Sequence, residues 1–488
     1  MLNKLKHSMK HTAIYSLGNI ATKLIGIVLL PLYTTHITVA EYGVLGILEI
    51  TIMILTQVLI LGQSQAFLRF HDLEGYKERR KSTLFTIFIF LFATGLLINI
   101  VGQSCTSKLS SLFSKPTDFA VYFRLCFVII FLRIINNLFL SVLRANEKSI
   151  FYAIANTIKF IIILGFNIYF VAFAKIGIKG ILYSYLIGDG VLFLILFPGM
   201  IFEMAPKFDS KIFKAAFVFG FPLIFSSLAH MLLNMGNRYI LKLLVNYEEV
   251  GLYNLGYKVA GVLNMFFIQS FMLGLLPSAY KMYGKKGDKR YYSKMLTYFV
   301  FVLCWAGLGL SLFSAEIVKI LSPNNSDYWS AHTVIPIIVL SYIFSGAKSV
   351  TALGMYLKGK TQFIAYITAI ALFINIALNF LFIPKHGMMG AAYATLIAFI
   401  ALYFLSYSIS DRLYKIPFEN LKLLKLILLT IALYYVSVIF QSVSLPLNIL
   451  LKIAILVSFP FILYVVNFYE KIELETIKKG FLKLTKFG

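Results

Sequence analysis

Residues 175–187 read KIGIKGILYSYLI, and residues 385–397 read KHGMMGAAYATLI. At a shift of 210, Lys175/Lys385, Gly177/Gly387, Gly180/Gly390, Tyr183/Tyr393, Leu186/Leu396 and Ile187/Ile397 coincide. Two further matches follow the same chain order. TVAEYGVL (38–45) and NYEEVGLY (246–253) share Glu41 and Gly43 against Glu249 and Gly251. LRANEKS (143–149) pairs more loosely with LKGKTQF (357–363). Three matches at nearly one shift imply an internal duplication.

Around these segments the chain is 60% hydrophobic and only 13% charged, with a mean hydropathy of +0.85. Soluble domains are about 45–50% apolar and about 25% charged, so the composition excludes that class. Apolar runs long enough to cross a hydrocarbon core of about 30 Å recur throughout. They predict an all-α polytopic membrane protein with about 14 transmembrane helices, at 12–34, 42–66, 83–104, 119–141, 150–173, 177–199, 214–236, 250–276, 295–320, 332–357, 361–383, 387–410, 422–441 and 446–467. The first run follows Lys4, Lys6 and Lys10 but is too long for a signal-peptide core, and no small-x-small cleavage site follows it.

The repeat unit spans six helices, an even number, so both copies enter the bilayer from the same side. That predicts two parallel-repeat six-helix bundles, 1–199 and 200–411, related about the membrane normal with substrate between them. Residues 412–488 add an extra helix pair, thirteen and fourteen, and a basic tail. The blander reading is a duplication that merely enlarges a scaffold.

The formal charge of +25 is mostly a topology signal. With both termini cytoplasmic, inner connections hold Arg79, Arg80, Lys81, Lys207, Lys211, the cluster from Lys281 to Arg290, Lys358, Lys360, Arg412 and Lys415. Roughly 30 of the 45 Lys and Arg then lie inside. A nucleic-acid partner would need a basic face on a folded soluble domain, and the sequence has none.

Ionisable side chains in mid-membrane cost at least about 2.5 kcal/mol each, which marks them as site candidates. Lys23 shares a helix face with Ser16, Asn19 and Gly26. Lys159 follows Asn156, Lys258 follows Asn254, and Arg133 precedes Asn137, each by about one turn. Lys348 lies mid-span in the tenth helix, beside position 347, where the repeat shift of 214 places Arg133. These five are the expected substrate-binding cations. Arg124 and Lys452 fall near outer helix ends and are expected to snorkel. Glu49 and Asp189 are the buried acids, read as coupling groups or as partners of the cations, and His230 reads as a packed polar residue. About seven cations against two acids suit an anionic phosphate or acidic sugar and make a poor host for a cationic drug.

Several chemistries lack their residues. There is no GxxxxGK[ST], no assembled catalytic carboxylate pair or Ser/His/Asp set, and no long outer loop for a glycosyltransferase or polymerase. Cys105, Cys126 and Cys304 form no CxxC and read as buried apolar positions. Neither enzymatic activity, metal nor cofactor is expected.

LPLYTTHITVAEYG (30–43), GQSQAFLRF (62–70), LRANEKS (143–149), NRYILKLLVNYEEVGLYNLGYKV (237–259) and NIALNFLFIPKHGMMGAAYAT (375–395) resemble the polysaccharide-transporter branch of the multidrug/oligosaccharidyl-lipid/polysaccharide exporter superfamily. The last segment, with Pro384 and Gly387 to Ala392, is the most specific. The resemblance implies two bundles forming a V that opens alternately to each leaflet. It implies outward movement of an undecaprenyl-pyrophosphate-linked O-antigen or capsule unit across the bacterial cytoplasmic membrane, among membrane lipids and polysaccharide-assembly proteins. Relatives often carry Asp where this chain has Asn237, which puts ion coupling by that route in doubt. Multidrug and lipid II exporters share the superfamily, and a glycan-assembly glycosyltransferase or scaffold is the reading from outside transport.

The charge bias sets the orientation expected in labelling. Single cysteines at Gly287 and Gly480 should resist a membrane-impermeant thiol reagent in intact cells, whereas cysteines at Asn325 and Ser444 should react. The reverse pattern would invert the topology.

Overall fold

The computed structural model describes residues 26–71, 73, 77–111, 116–440, 444–470 and 475. Among these the chain is helical with no strand. Twelve helices are long and apolar enough to cross a membrane. One of them, Gln362–Leu413, has 52 residues, and at 1.5 Å per residue a straight helix of that length would be about 78 Å long. It breaks at Gly387, whose φ of 52° and ψ of −131° are non-helical, three residues after Pro384. Two spans therefore meet there, as the sequence pattern requires, and the described residues hold thirteen (twelve, with one divided in two). The remaining expected span, 12–34, the first in the chain, lies mostly outside the described residues, and Lys23 with it. The basic tail beyond Glu470 also lies outside them, apart from Glu475. The chain is a multi-pass membrane protein.

The second span differs from its expected bounds of 42–66. It runs Val39–Leu59, then turns through Leu61 at φ 50° and Gly62 at φ 67°, and a separate helix forms over Gln63–His71. The apolar pattern carries across the turn, so hydropathy alone does not show it.

Packing divides the chain into two compact units. The first runs to Val259 and includes Val318–Val334 and Ala365–Ala398; the second holds Ala260–Ile317, Ile335–Ile364 and Phe399 onward. The expected boundary at residue 200 concerns the repeat, whereas this division concerns which helices touch.

In the first unit, equivalent repeat residues meet. A Cβ built on Gly43 would lie 1.9 Å from the Tyr247 carbonyl oxygen, and one on Gly251 would lie 2.1 Å from the Val39 carbonyl oxygen. Val39 and Tyr247 stand at the same shift of 208 as the two glycines. The contact is reciprocal, as a two-fold relation between the copies produces. Only glycine permits this approach of two backbones. The helix starts above the crossing are capped alike: Thr38 forms a capping box with Glu41, and Asn246 Oδ1 accepts from the Glu249 amide at 2.9 Å. The Glu249 carboxylate accepts the Met388 N–H at 2.6 Å, satisfying a donor freed by the break at Gly387.

In the second unit the appended helices Asn420–Ile439 and Leu445–Val465 dock on Asp288–Leu312. Trp305 Nε1 donates to the Leu456 carbonyl at 3.0 Å. Lys452 does not snorkel as expected: it is buried and pairs at 2.6 Å with Glu316, in the first turn of the short helix Ser314–Leu321, which supplies the charge partner that snorkelling would otherwise seek in water. At one end, Lys294 bridges Glu419 at 2.9 Å and Glu470 at 2.5 Å, while Lys422 reaches the same two acids at 3.0 and 3.4 Å. Burial pushes the Glu419 carboxyl upward, but hydrogen bonds from Thr297, Lys294 and Lys422 outweigh it and hold it down at about 2. A carboxylate held low stabilises the folded state above its ordinary range and loses that contribution as pH falls toward 2. Thermal stability in detergent should therefore decline between about pH 4.5 and 2, and Glu419→Gln should be less stable at pH 6 with a flatter acid limb. An acid limb unchanged by the substitution would remove this cluster as a clasp.

Candidate functional site

Five helices of the first unit aim polar side chains into one cavity of about 530 Å³. Val39–Leu59 contributes Glu49, and Tyr247–Leu263 contributes Lys258. Pro116–Ala145 brings Arg133, Asn136, Asn137 and Leu140, at the i, i+3, i+4, i+7 spacing that keeps one helical face. Ser149–Asn167 presents Tyr152, Asn156, Lys159 and Ile163 one turn or so apart, and Gly177–Phe202 presents Tyr185, Asp189 and Leu192 likewise. Each stripe is legible in sequence; that they converge is not.

Asp189 is the centre of the cluster. It is wholly buried, its Oδ2 accepts from Arg133 Nε at 2.8 Å, and its Oδ1 accepts from Lys159 Nζ. Asn136 Nδ2 donates to the Asp189 backbone carbonyl at 2.8 Å, tying the same two helices together. A second pair adjoins it. Lys258 Nζ meets Glu49 Oε2 at 3.2 Å, and Tyr185 OH donates to Glu49 Oε1 at 2.7 Å. The Tyr185 ring also lies 5.6 Å from the Arg133 guanidinium carbon, linking the two pairs. A charge left alone at this depth would be costly, and each carboxylate here has a cation and at least one further hydrogen bond.

The guanidinium is only half used. Arg133 pairs through Nε, and among the described residues its two terminal nitrogens have no hydrogen-bond partner, while 26% of its side chain stays exposed to the cavity. Those two nitrogens form the fork that binds phosphate or carboxylate through parallel hydrogen bonds. With Arg133, Lys159 and Lys258 against Asp189 and Glu49, the lining carries one net positive charge among the described residues.

Of the expected site residues, the fold brings together Arg133, Lys159, Lys258, Asp189 and Glu49. Lys348 belongs to the second unit, on Ile335–Thr351, where no ionic partner faces it among the described residues. Arg124 is exposed, and His230 is exposed on Ser210–Met235. The expected excess of seven cations over two acids is smaller, because Asp189 serves two cations, Glu49 one, and Glu316 pairs with Lys452.

Two features of the interior went unread. Tyr185 was hidden in the repeat segment as an ordinary aromatic. Arg238 falls between the expected spans 214–236 and 250–276, but it sits on the short helix Asn237–Leu244, is 3% exposed, and donates from Nε to Asn254 Oδ1 at 3.1 Å with the Tyr257 ring 4.6 Å away. Next to it, Asn237 donates to Thr395 Oγ1 at 2.6 Å and accepts from Asn379 at 2.8 Å. Asn237 is thus held in a neutral amide and hydroxyl network. Among the described residues no group of three His, Cys, Asp or Glu is placed to hold a metal.

The model of the family described as "Polysaccharide biosynthesis protein" matches residues 8–282, more than half of the chain. The chain belongs to this family. A second model, MatE, matches residues 222–381. Together they bear out the resemblance to the polysaccharide-transporter branch of the exporter superfamily. No curated protein matches the chain. Among solved structures it is similar to the lipid II flippase MurJ in an inward closed conformation, with a TM-score of 0.76 and 16% identity over 94% of this chain and 100% of that one. It is also similar to an inward-facing multidrug resistance MATE transporter, with a TM-score of 0.62 and 14% identity over 83% and 96%. The Vibrio cholerae MATE transporter VcmN gives 0.60 and 17% over 83% and 97%. These likenesses establish a shared fold.

The ion cluster makes an asymmetric prediction for this family member. Asp189→Asn strands Arg133 and Lys159, and breaking such a buried pair costs about 3–5 kcal/mol. The thermal midpoint in detergent should fall clearly, and Lys159→Met in that background should recover part of the loss. Glu49→Gln should cost less, because Glu49 and Lys258 are each about a fifth exposed (22% and 21%). An Asp189→Asn protein as stable as the parent would show that the two cations do not need the carboxylate.

Proposed function

We propose that the protein is a flippase of the bacterial cytoplasmic membrane, with both termini cytoplasmic. It translocates an undecaprenyl-pyrophosphate-linked oligosaccharide, an O-antigen or capsule repeat unit, by alternating access. The observation that carries this reading is the Arg133 fork, anchored through Nε and open at its terminal nitrogens in a cavity with one excess positive charge. A pyrophosphate offers the planar pairs of oxygens that such a fork engages. Lys159 and Lys258 would add charge around it, and the asparagines and Tyr185 would serve sugar hydroxyls. Asp189 and Glu49 hold the cations in place between cargoes. Lys348 and Lys23 are assigned to the same anionic cargo on the strength of their mid-span positions.

A lipid II substrate is the second reading, favoured by the match to the lipid II flippase across the whole of that chain. Rescue of cells depleted of their own lipid II flippase would select it. A multidrug antiporter is disfavoured by the positive lining, which would repel cationic drugs.

The test is surface glycan on cells lacking the native gene, with protein abundance measured alongside. Arg133→Gln removes a charge-assisted contact worth about 1.5–3 kcal/mol, so transport should fall roughly ten- to a hundredfold at normal abundance. Lys348→Gln should also reduce glycan, and Arg133→Lys should retain more than Arg133→Gln. Normal glycan from the Arg133→Gln, Lys348→Gln double variant at normal abundance would overturn the cationic-cavity mechanism.

A further inference from the structure

A second basic concavity lies in the first unit, separate from the site above, with a volume of about 610 Å³. Its walls are Arg69 and Phe70 from Gln63–His71 and, from Ser210–Met235, Lys211, Lys214, Val218 and Phe219. Arg69, Lys211 and Lys214 are exposed, and among the described residues none has a carboxylate partner. Asp209, the acid next to them in sequence, is occupied: it caps the helix by accepting from the Lys211 and Ile212 amides and pairs with Arg79 at 3.4 Å.

The groove is built rather than incidental. The Arg69 guanidinium carbon stands 4.3 Å from the Phe219 ring centroid, and Phe70 packs edge-on against the same ring. A Cβ on Gly62 would lie 2.2 Å from the Gly220 carbonyl oxygen, so the turn that precedes Gln63–His71 meets Ser210–Met235 backbone to backbone. Below the cations the helix face continues apolar. Lys211, Lys214, Val218, Pro222 and Phe225 fall within a sector of roughly 80° at 100° per residue. Val218 is 65% exposed and Phe225 is 62% exposed. Three cations above an open apolar lane on a membrane-crossing helix match an amphiphile with an anionic head.

We infer that this groove is a binding site for one anionic phospholipid, its phosphate held by Arg69, Lys211 and Lys214 and an acyl chain lying along Val218, Pro222 and Phe225. The site does not depend on what the central cavity carries. Cations at a membrane surface contribute additively to binding anionic lipid, and the cation–π contact fixes the direction of the Arg69 head.

Native mass spectrometry of the full-length protein, equilibrated with equal phosphatidylglycerol and phosphatidylcholine, tests this. The parent should retain one phosphatidylglycerol in preference to phosphatidylcholine. The Arg69→Gln, Lys211→Gln, Lys214→Gln variant should weaken that retention roughly a hundredfold. A variant with three exposed charges removed elsewhere, Lys281→Gln, Lys285→Gln and Lys286→Gln, should keep it. All three altered positions are exposed, and an unchanged thermal midpoint in lipid-free detergent confirms folding; should it change, Lys214→Gln alone is compared with Lys214→Arg, and only the former should lose lipid. Val218→Ser with Phe225→Ser should also weaken retention. Equal loss in both triple variants, retention in the groove variant, or no preference over phosphatidylcholine overturns the inference. Displacement of the lipid by millimolar inorganic phosphate, unaffected by the Val218 and Phe225 changes, would make the ligand a free anion and overturn it as well.

Discussion

Asp189 accepts from two cations at once, and the interior of the first unit is organised around that fact. A carboxylate with no exposed surface cannot stay ionised beside lipid without compensation, and Arg133 and Lys159 supply it from two different helices. Because the two come from Pro116–Ala145 and Ser149–Asn167 while Asp189 sits on Gly177–Phe202, the cluster also fixes the rotation of three helices. The Glu49–Lys258 pair extends the same logic to both repeat copies, since Glu49 and Lys258 lie on the helices that cross at Gly43 and Gly251. Among the described residues one positive charge is left over, and the proposed function assigns it to the ligand.

That excess changes how the buried charges work. Seven scattered cations would be a uniform positive pore; the structure instead shows cations held by acids in defined poses. A side chain anchored at one nitrogen is preorganised, and an anion arriving at the free face of Arg133 need not first order it. Under the proposed function the acids bear on affinity through the position they give the cations and not through contact with the cargo.

Much of the architecture was legible because it follows from two periodicities. Span length gave the thirteen spans found among the described residues, and three of the glycines in the repeated segments, Gly43, Gly251 and Gly387, turn out to occupy the tight crossing and the kink. The candidate cations and acids were legible because charge in an apolar run is conspicuous. Pairing was not. Arg133 and Asp189 are 56 residues apart, and Glu49 and Lys258 are 209 apart, so only the packed helices decide who meets whom. Lys452 misled for the same reason: its position near a helix end is compatible with snorkelling until Glu316 is seen beside it. Arg238 was missed because the short helix carrying it is too brief to register as a span.

The central claim is that an anchored, half-open arginine recognises the anionic head of a lipid-linked cargo. The most direct measurement compares binding of undecaprenyl pyrophosphate and neutral undecaprenol to the purified protein and to Arg133→Gln. The parent should prefer the pyrophosphate by roughly tenfold or more, and the preference should shrink sharply in the variant while undecaprenol binding is unchanged. Equal affinity of the parent for both lipids, or a preference that Arg133→Gln leaves intact, would contradict the account.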